Sequence, residues 1–216
     1  MTTTHPRVPV RVAAPADIEA IVDTLTTAFF HDPLWGPVFP DERSRAARIM
    51  PMWRLFATAA LRHSWTLVTR NVEAVAVWIP PGEDELSPEE ETGLEHLLAE
   101  VASPEEVAAV LSVSEQFAAA RPREEHFYLT ILGTHDRHRG QGLGMGLLAD
   151  SLARIDALGA PAYLESSNPA NLERYESVGF VPRDRITVAT GHVVTTMWRP
   201  AGGTAGRVEI NRQIHR

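Results

Sequence analysis

Hydrophobic spacing divides the chain into alternating strand-like and helix-like segments. Val8, Val10 and Val12 alternate with polar residues, a period of two that predicts a first strand over 7–12. Pro15-Ala16-Asp17 then opens a helix whose buried stripe is Ile18, Ile21, Val22, Leu25 and Phe29, with Pro suited to a first turn and Asp to its positive end. The prolines at 33, 37 and 40 bar a helix from continuing through 29–40. Residues 42–61 carry Ile49, Trp53, Phe56 and Leu61 at apolar positions of a second helix, which Pro51 is predicted to kink or break. Segments 65–69 and 72–79 read as a hairpin about Arg70-Asn71, with Val75, Val77 and Ile79 alternating as on a half-buried strand. Two capping boxes, Ser87-x-x-Glu90 and Ser103-x-x-Glu106, predict helices near 88–101 and 104–120. Their acidic clusters lie in first turns and read as a solvated face. The aromatic and β-branched run 127–134 predicts a strand. Leu143, Leu147, Leu148, Leu152, Ile155 and Leu158 predict a helix after it. Strands are expected next at 162–166, 185–190 and 193–199, the last two joined at Gly191-His192. The stretch from 201 onward opens with Gly and Ala, so 201–216 is expected to be a flexible tail.

Composition narrows the function classes. A chain of 216 residues, 44% hydrophobic, fits one medium domain with a substantial core. A net charge of −8 disfavours nucleic-acid binding and would attract a cationic small molecule. The absence of Cys excludes disulfides, thiolate metal sites and a thiolate nucleophile. Residues 1–9 are polar and lack the apolar core of a signal peptide. No run is long and apolar enough to span a bilayer, so a soluble, cytoplasmic protein without membrane partners is expected.

Candidate chemistry concentrates in His135-Asp136-Arg137-His138-Arg139-Gly140-Gln141-Gly142-Leu143-Gly144-Met145-Gly146, placed between the 127–134 strand and the following helix. Glycines tolerate positive φ and let a ligand approach the backbone. The first turn of a helix offers unpaired N–H groups and a partial positive charge. Together these make a phosphate or pyrophosphate site, with Arg137 and Arg139 at its rim. A P-loop would need Lys and Ser/Thr after its last Gly, yet Leu147 follows Gly146. The glycine spacing also misses the dinucleotide fingerprint.

Arg139-x-x-Gly142-x-Gly144 resembles the acyl-CoA signature of the GCN5-related N-acetyltransferases (GNAT). The resemblance continues through Ala162-Tyr163-Leu164-Glu165-Ser166 and through the Asn171-x-x-x-Tyr175-x-x-x-Gly179-Phe180 helix and turn. From 127 to 180 it looks closest to the puromycin N-acetyltransferase-like branch. It is strong from 127 to about 199 and weak before. Asp136 departs from it, standing where the family often has Pro.

The resemblance implies an α/β (α+β) fold with a mixed, mostly antiparallel central sheet, splayed at the CoA strand and flanked by helices. It implies one acetyltransferase domain over 1–200, with 86–120 as a helical segment beyond the family minimum. It implies acetyl-CoA as co-substrate and no metal. Leu132, Gly133 and Thr134 would meet the pantetheine arm, Arg139, Gly140, Gln141, Gly142, Leu143 and Gly144 the pyrophosphate, and Asn171 another part of CoA. Tyr175 would be the general acid. Glu165 is the best candidate base, with a cation-binding or structural role equally open, ahead of His126 and His31. His135 and His138 fit the CoA loop better than the amine site. Phe29, Phe30, Asp32 and Trp35, from the stiff aromatic stretch, would line the acceptor pocket. The expected reaction moves acetyl to a primary amine of a small molecule, antibiotic- or metabolite-like, by direct attack in a ternary complex. A protein or peptide N-acetyltransferase and a non-catalytic acyl-CoA sensor are the competing readings. The chain would act as a monomer or homodimer.

Overall fold

The computed structural model describes residues 8–202. The start of the first predicted strand and the tail from 203 onward lie outside the described residues. Strands β1 (Val10–Val12), β2 (Thr66–Thr69), β3 (Ala74–Ile79), β4 (Phe127–Thr134), β5 (Ala162–Ser166), β6 (Val181–Thr187) and β7 (Val193–Arg199) form one sheet. Its order is β1-β2-β3-β4-β5-β7-β6. The one parallel pair, β4 with β5, is bridged by the helix that the Gly-rich turn opens. All other neighbours are antiparallel. The helices are α1 (Ile18–Phe29), α2 (Trp35–Val38), α3 (Glu42–Ala60), α4 (Pro88–Ala99), α5 (Pro104–Ala120), α6 (Leu143–Ala157) and α7 (Leu172–Glu176). Among the described residues no helix is long and apolar enough to cross a membrane.

Helices cover both faces of the sheet. Val75, Val77 and Ile79 of β3 pack with Ile21 and Leu25 of α1 and Ile49 of α3. Ala74, Ala76 and Trp78, on the opposite face, pack with Leu147, Leu148, Leu152 and Ile155 of α6. All six residues of β3 are therefore buried, and the half-buried strand expected from alternation is corrected. A central strand with helices on both sides has no solvent face.

Both capping boxes form: the Ser87 and Ser103 side chains accept from the N–H groups of Glu90 and Glu106, whose carboxylates accept in return. Glu106 also takes both oxygens to Arg48 at 2.6 Å, tying α5 to α3. Helix α3 is not broken at Pro51, where buried Ile49, Met52 and Trp53 pin it to the core on either side. The proline-rich stretch does leave α1, but it still makes the single turn α2. Pro37 is tolerated there because first-turn N–H groups need no helical partner. The hairpin turn is longer than expected: Val72 takes a φ of 64° and β3 begins only at Ala74. Strand β6 runs from Val181 to Thr187 rather than 185–190. It is the exposed edge of the sheet, so it has no hydrophobic alternation to read, and Pro182 costs no ladder bond there.

Candidate active site

Strands β4 and β5 pair only from Phe127, Tyr128 and Leu129 to Ala162, Tyr163 and Leu164. Beyond those residues they separate, β4 running on to Thr134 and β5 to Ser166. The gap opens a cavity of about 1120 Å³. The β5-side edge of β4 is left without a strand partner there. On its other side β4 carries a bulge: Val77 pairs with Ile131 and Trp78 with Leu129, leaving Thr130 as the extra residue.

One end of the cavity is built by backbone. Leu132, Gly133, Thr134, Arg139, Gly140, Gly142, Leu143 and Gly144 all line it. Gly142 sits at the N-terminus of α6 with a φ of 76° and no side-chain cap, so the first N–H groups of this 15-residue helix have no capping side chain. A Cβ on Gly144 would stand 2.6 Å from Thr134 Oγ1, so this turn packs against β4 only with glycine. Arg139 lines the same end and donates to the Ala28 carbonyl at 2.6 Å. Gln141 is exposed and outside the lining. His138 faces the cavity, whereas His135 is held between Asp23 at 3.3 Å and Asp136 at 2.9 Å. Asn171 lines the cavity and accepts from Arg174 at 3.0 Å. An uncapped helix start beneath an open strand edge fits the pyrophosphate and pantetheine of an acyl-CoA.

Tyr175 enters the cavity from α7 and is 9% exposed. Among the described residues none hydrogen-bonds its hydroxyl. Burial, with nearby Asp32 adding and Arg174 opposing, pushes the phenol up to about 12. It is therefore protonated at neutral pH and free to donate.

Glu165 lines the cavity from β5, just past the last β4–β5 pair. Its Oε1 is buried without a hydrogen-bond partner. Burial pushes the carboxyl up to about 7, against the pull of Tyr128, Arg121 and Tyr163, while Glu85 adds to the rise. Sequence reasoning missed four residues nearby. Glu85, before α4, accepts from the hydroxyl of Thr130 on the bulge and lies 3.5 Å from Arg121. The Arg121 guanidinium sits 4.0 Å over the Tyr128 ring. These residues are 36 or more positions apart from Glu85 in the chain, and only the folded sheet brings them together.

The aromatic wall forms largely as expected. Phe29 and Trp35 line the cavity, joined by Trp53 of α3 at ring distances of 4.9 and 5.6 Å. Phe30 does not line it; its ring lies under the Arg45 guanidinium at 4.9 Å. Arg45, another residue missed, is 5% exposed and donates to the carbonyls of Phe30, Phe39 and Pro40, which fixes the stretch behind this wall. Asp32 reaches the lining with both oxygens engaged: Oδ1 accepts from the Leu34 and Trp35 N–H groups and Oδ2 from Ser167 Oγ at 2.8 Å. His31 lines the cavity; His126 packs instead between Tyr163 and Trp198 at 5.3 and 5.6 Å.

Comparisons with known proteins agree with this fold. The structure is similar to that of a histone acetyltransferase HPA2 and related acetyltransferase from Corynebacterium glutamicum, at 24% identity, TM-score 0.62, and 93% and 99% coverage of this chain and that one. Arylalkylamine N-acetyltransferase 2 from Aedes aegypti is 16% identical, with TM-score 0.64 and coverages of 90% and 99%. A chain of the NatC complex bound to Gag peptide and CoA is 12% identical, with TM-score 0.53 and coverages of 90% and 99%. At these identities the likeness carries the fold. The description "Acetyltransferase (GNAT) domain" matches residues 86–199. That match spans more than half of the sequence and includes the whole glycine-rich turn, so the chain belongs to the GNAT family of acetyltransferases.

Proposed function

We propose that the protein moves the acetyl group of acetyl-CoA to a primary amine of a small, cationic molecule, by direct attack with both substrates bound. The observation that carries this reading is that one cavity is lined both by Arg139 and the start of α6 and by the carboxylates Asp84, Glu91, Glu95 and Glu115. An anionic CoA and a cationic amine would each find an opposite charge, and orientation in one site supplies much of the rate of such a transfer. The aromatic wall of Phe29, Trp35 and Trp53 suits a small organic acceptor better than a chain that must pass through. The resemblance to the puromycin N-acetyltransferase-like branch points to the same class.

Acetyl-CoA supplies the activated acyl group when bound. Backbone groups of Leu132–Thr134 and Arg139–Gly144, with Asn171, would hold it. Glu165 receives a proton from the acceptor's ammonium, leaving the neutral amine that can attack. Tyr175 gives its proton to the departing thiolate, and the second proton of the attacking nitrogen, lost as the amide forms, restores the phenol. A group poised near neutral pH is suited to the first task and a protonated phenol to the second.

The test is a panel of small amines and amino-terminal and lysine peptides, followed by thiol release. Small cationic amines should be turned over with kcat/KM at least tenfold above the peptides. A preference for peptides would overturn the acceptor class. Tight acetyl-CoA binding without turnover of any amine would favour a sensor.

A further inference from the structure

We propose that Glu85 holds the Arg121 guanidinium against Tyr128 and off Glu165, so that the Glu165 carboxylate stays free to take the acceptor's proton. The proposal rests on the reading of Glu165 as the base. Glu85 is then a positioning residue, supplied by the loop that leads into the helical segment 86–120.

The geometry comes from three elements. Arg121, at the end of α5, has Nη2 3.5 Å from Glu85 Oε2 and its guanidinium 4.0 Å over the Tyr128 ring. Its Nε is buried and bonds to nothing. Glu85 is fixed from its other side, because Thr130 on the β4 bulge donates to Oε1. Among the described residues no ion pair joins Arg121 to Glu165, and Glu165 Oε1 is left buried and unpartnered. Arg121, a cation that bears on Glu165, is thus committed elsewhere: among the described residues the groups that act on Glu165 most are Tyr128 from β4, Arg121 from the end of α5, Tyr163 from β5 and Glu85 from the loop before α4.

The consequence for a base is large. A carboxylate paired directly with a guanidinium in a buried site is held in its ionised form and binds a proton poorly. A base works best when its proton affinity matches the working pH. Burial pushes Glu85's own carboxyl up, against the pull of Thr130 and Arg121; in its ionised form, held by that pair, it opposes that loss twice, by engaging Arg121 and by placing a second negative charge near Glu165. Both effects have one sign, and removing Glu85's charge removes both.

Glu85→Gln keeps the shape and removes the charge. Two quantities are read on one preparation, after its melting curve and acetyl-CoA affinity confirm a folded protein. The first is the titration midpoint of the Glu165 carboxyl by carbon-13 NMR, with Glu165→Gln assigning the signal. The second is the acidic limb of kcat with the best small amine. Both should move to lower pH by about one unit, the scale of a nearby opposite or like charge. Glu85→Asp should restore most of the shift. Arg121→Gln should move both midpoints upward, and it serves as an independent arm if Glu85→Gln does not fold. A carboxyl midpoint that stays put or rises in Glu85→Gln overturns the proposal. A carboxyl midpoint that falls while the kcat limb does not move shows the charge arrangement to be right and the base to be another group.

Discussion

Tyr175 and Glu165 meet the same cavity from different elements, one from α7 and one from β5, and their environments set different protonation states. The phenol at about 12 stays protonated, while the carboxyl at about 7 is divided between its forms near neutral pH. Tyr175→Phe removes a proton donor and keeps nearly all of the packing against Phe180. If the hydroxyl protonates the thiolate, kcat should fall by roughly ten- to a thousand-fold while acetyl-CoA affinity is unchanged. A kcat within twofold of wild type from about pH 6 to 9 would remove the role. If Glu165 takes the acceptor's proton, its working form is the carboxylate, so wild-type kcat should decline as pH drops below about 7, and Glu165→Gln should lose that limb together with most of the rate. Its folded-state affinity for a proton exceeds the ordinary carboxylate value, so its contribution to stability is greatest below about pH 4.5 and is lost as pH rises through about 7. Glu165→Gln should therefore raise the melting temperature relative to wild type at pH 8 and change it little at pH 5; equal shifts at both would contradict a buried ionisation. Tyr175, Glu165 and the glycines were legible in the sequence because each stands in a short, spaced motif. Glu85, Arg121 and Arg45 were not, because their significance comes from partners on other elements: Glu85 looks like one more acidic residue of a loop until Thr130 and Arg121 are seen against it.

Among the elements, α6 carries the cofactor claim. Its start has no side-chain cap and Gly142 holds a left-handed φ there. Gly142→Asp places a carboxylate where a pyrophosphate would bind and strains the backbone by about 1–2 kcal/mol. Calorimetry on the folded variant should show acetyl-CoA affinity reduced at least a hundredfold, and unchanged affinity would move the phosphate site elsewhere. The turn was readable from glycine spacing, and the bounds of β4, β5, β7 and α5 from their punctuation by Gly, Pro and capping serines. Other elements escaped for identifiable reasons. An edge strand such as β6 needs no alternation, a central one such as β3 is apolar on both faces, and the continuity of α3 through Pro51 depends on tertiary packing. The bulge at Thr130 leaves no mark in the sequence, because it arises from the register between two strands that are 48 or more positions apart.

At the scale of the whole molecule, the net charge of −8 suggested a cationic acceptor without saying where it would sit. In the fold, Asp84, Glu91, Glu95 and Glu115, from α4, α5 and the loop before α4, line the same cavity as the glycine turn and Arg139. The cavity itself could not be read along the chain, since it exists only because β4 and β5 part after three paired residues. In the proposed reaction both substrates occupy this one space and react directly. Initial rates of thiol release, with acetyl-CoA and a small cationic amine both varied, test that claim most directly. Direct attack in a ternary complex predicts reciprocal plots that intersect. Parallel plots, the mark of an acylated enzyme intermediate, or no thiol release with any small amine despite normal acetyl-CoA binding, would contradict it.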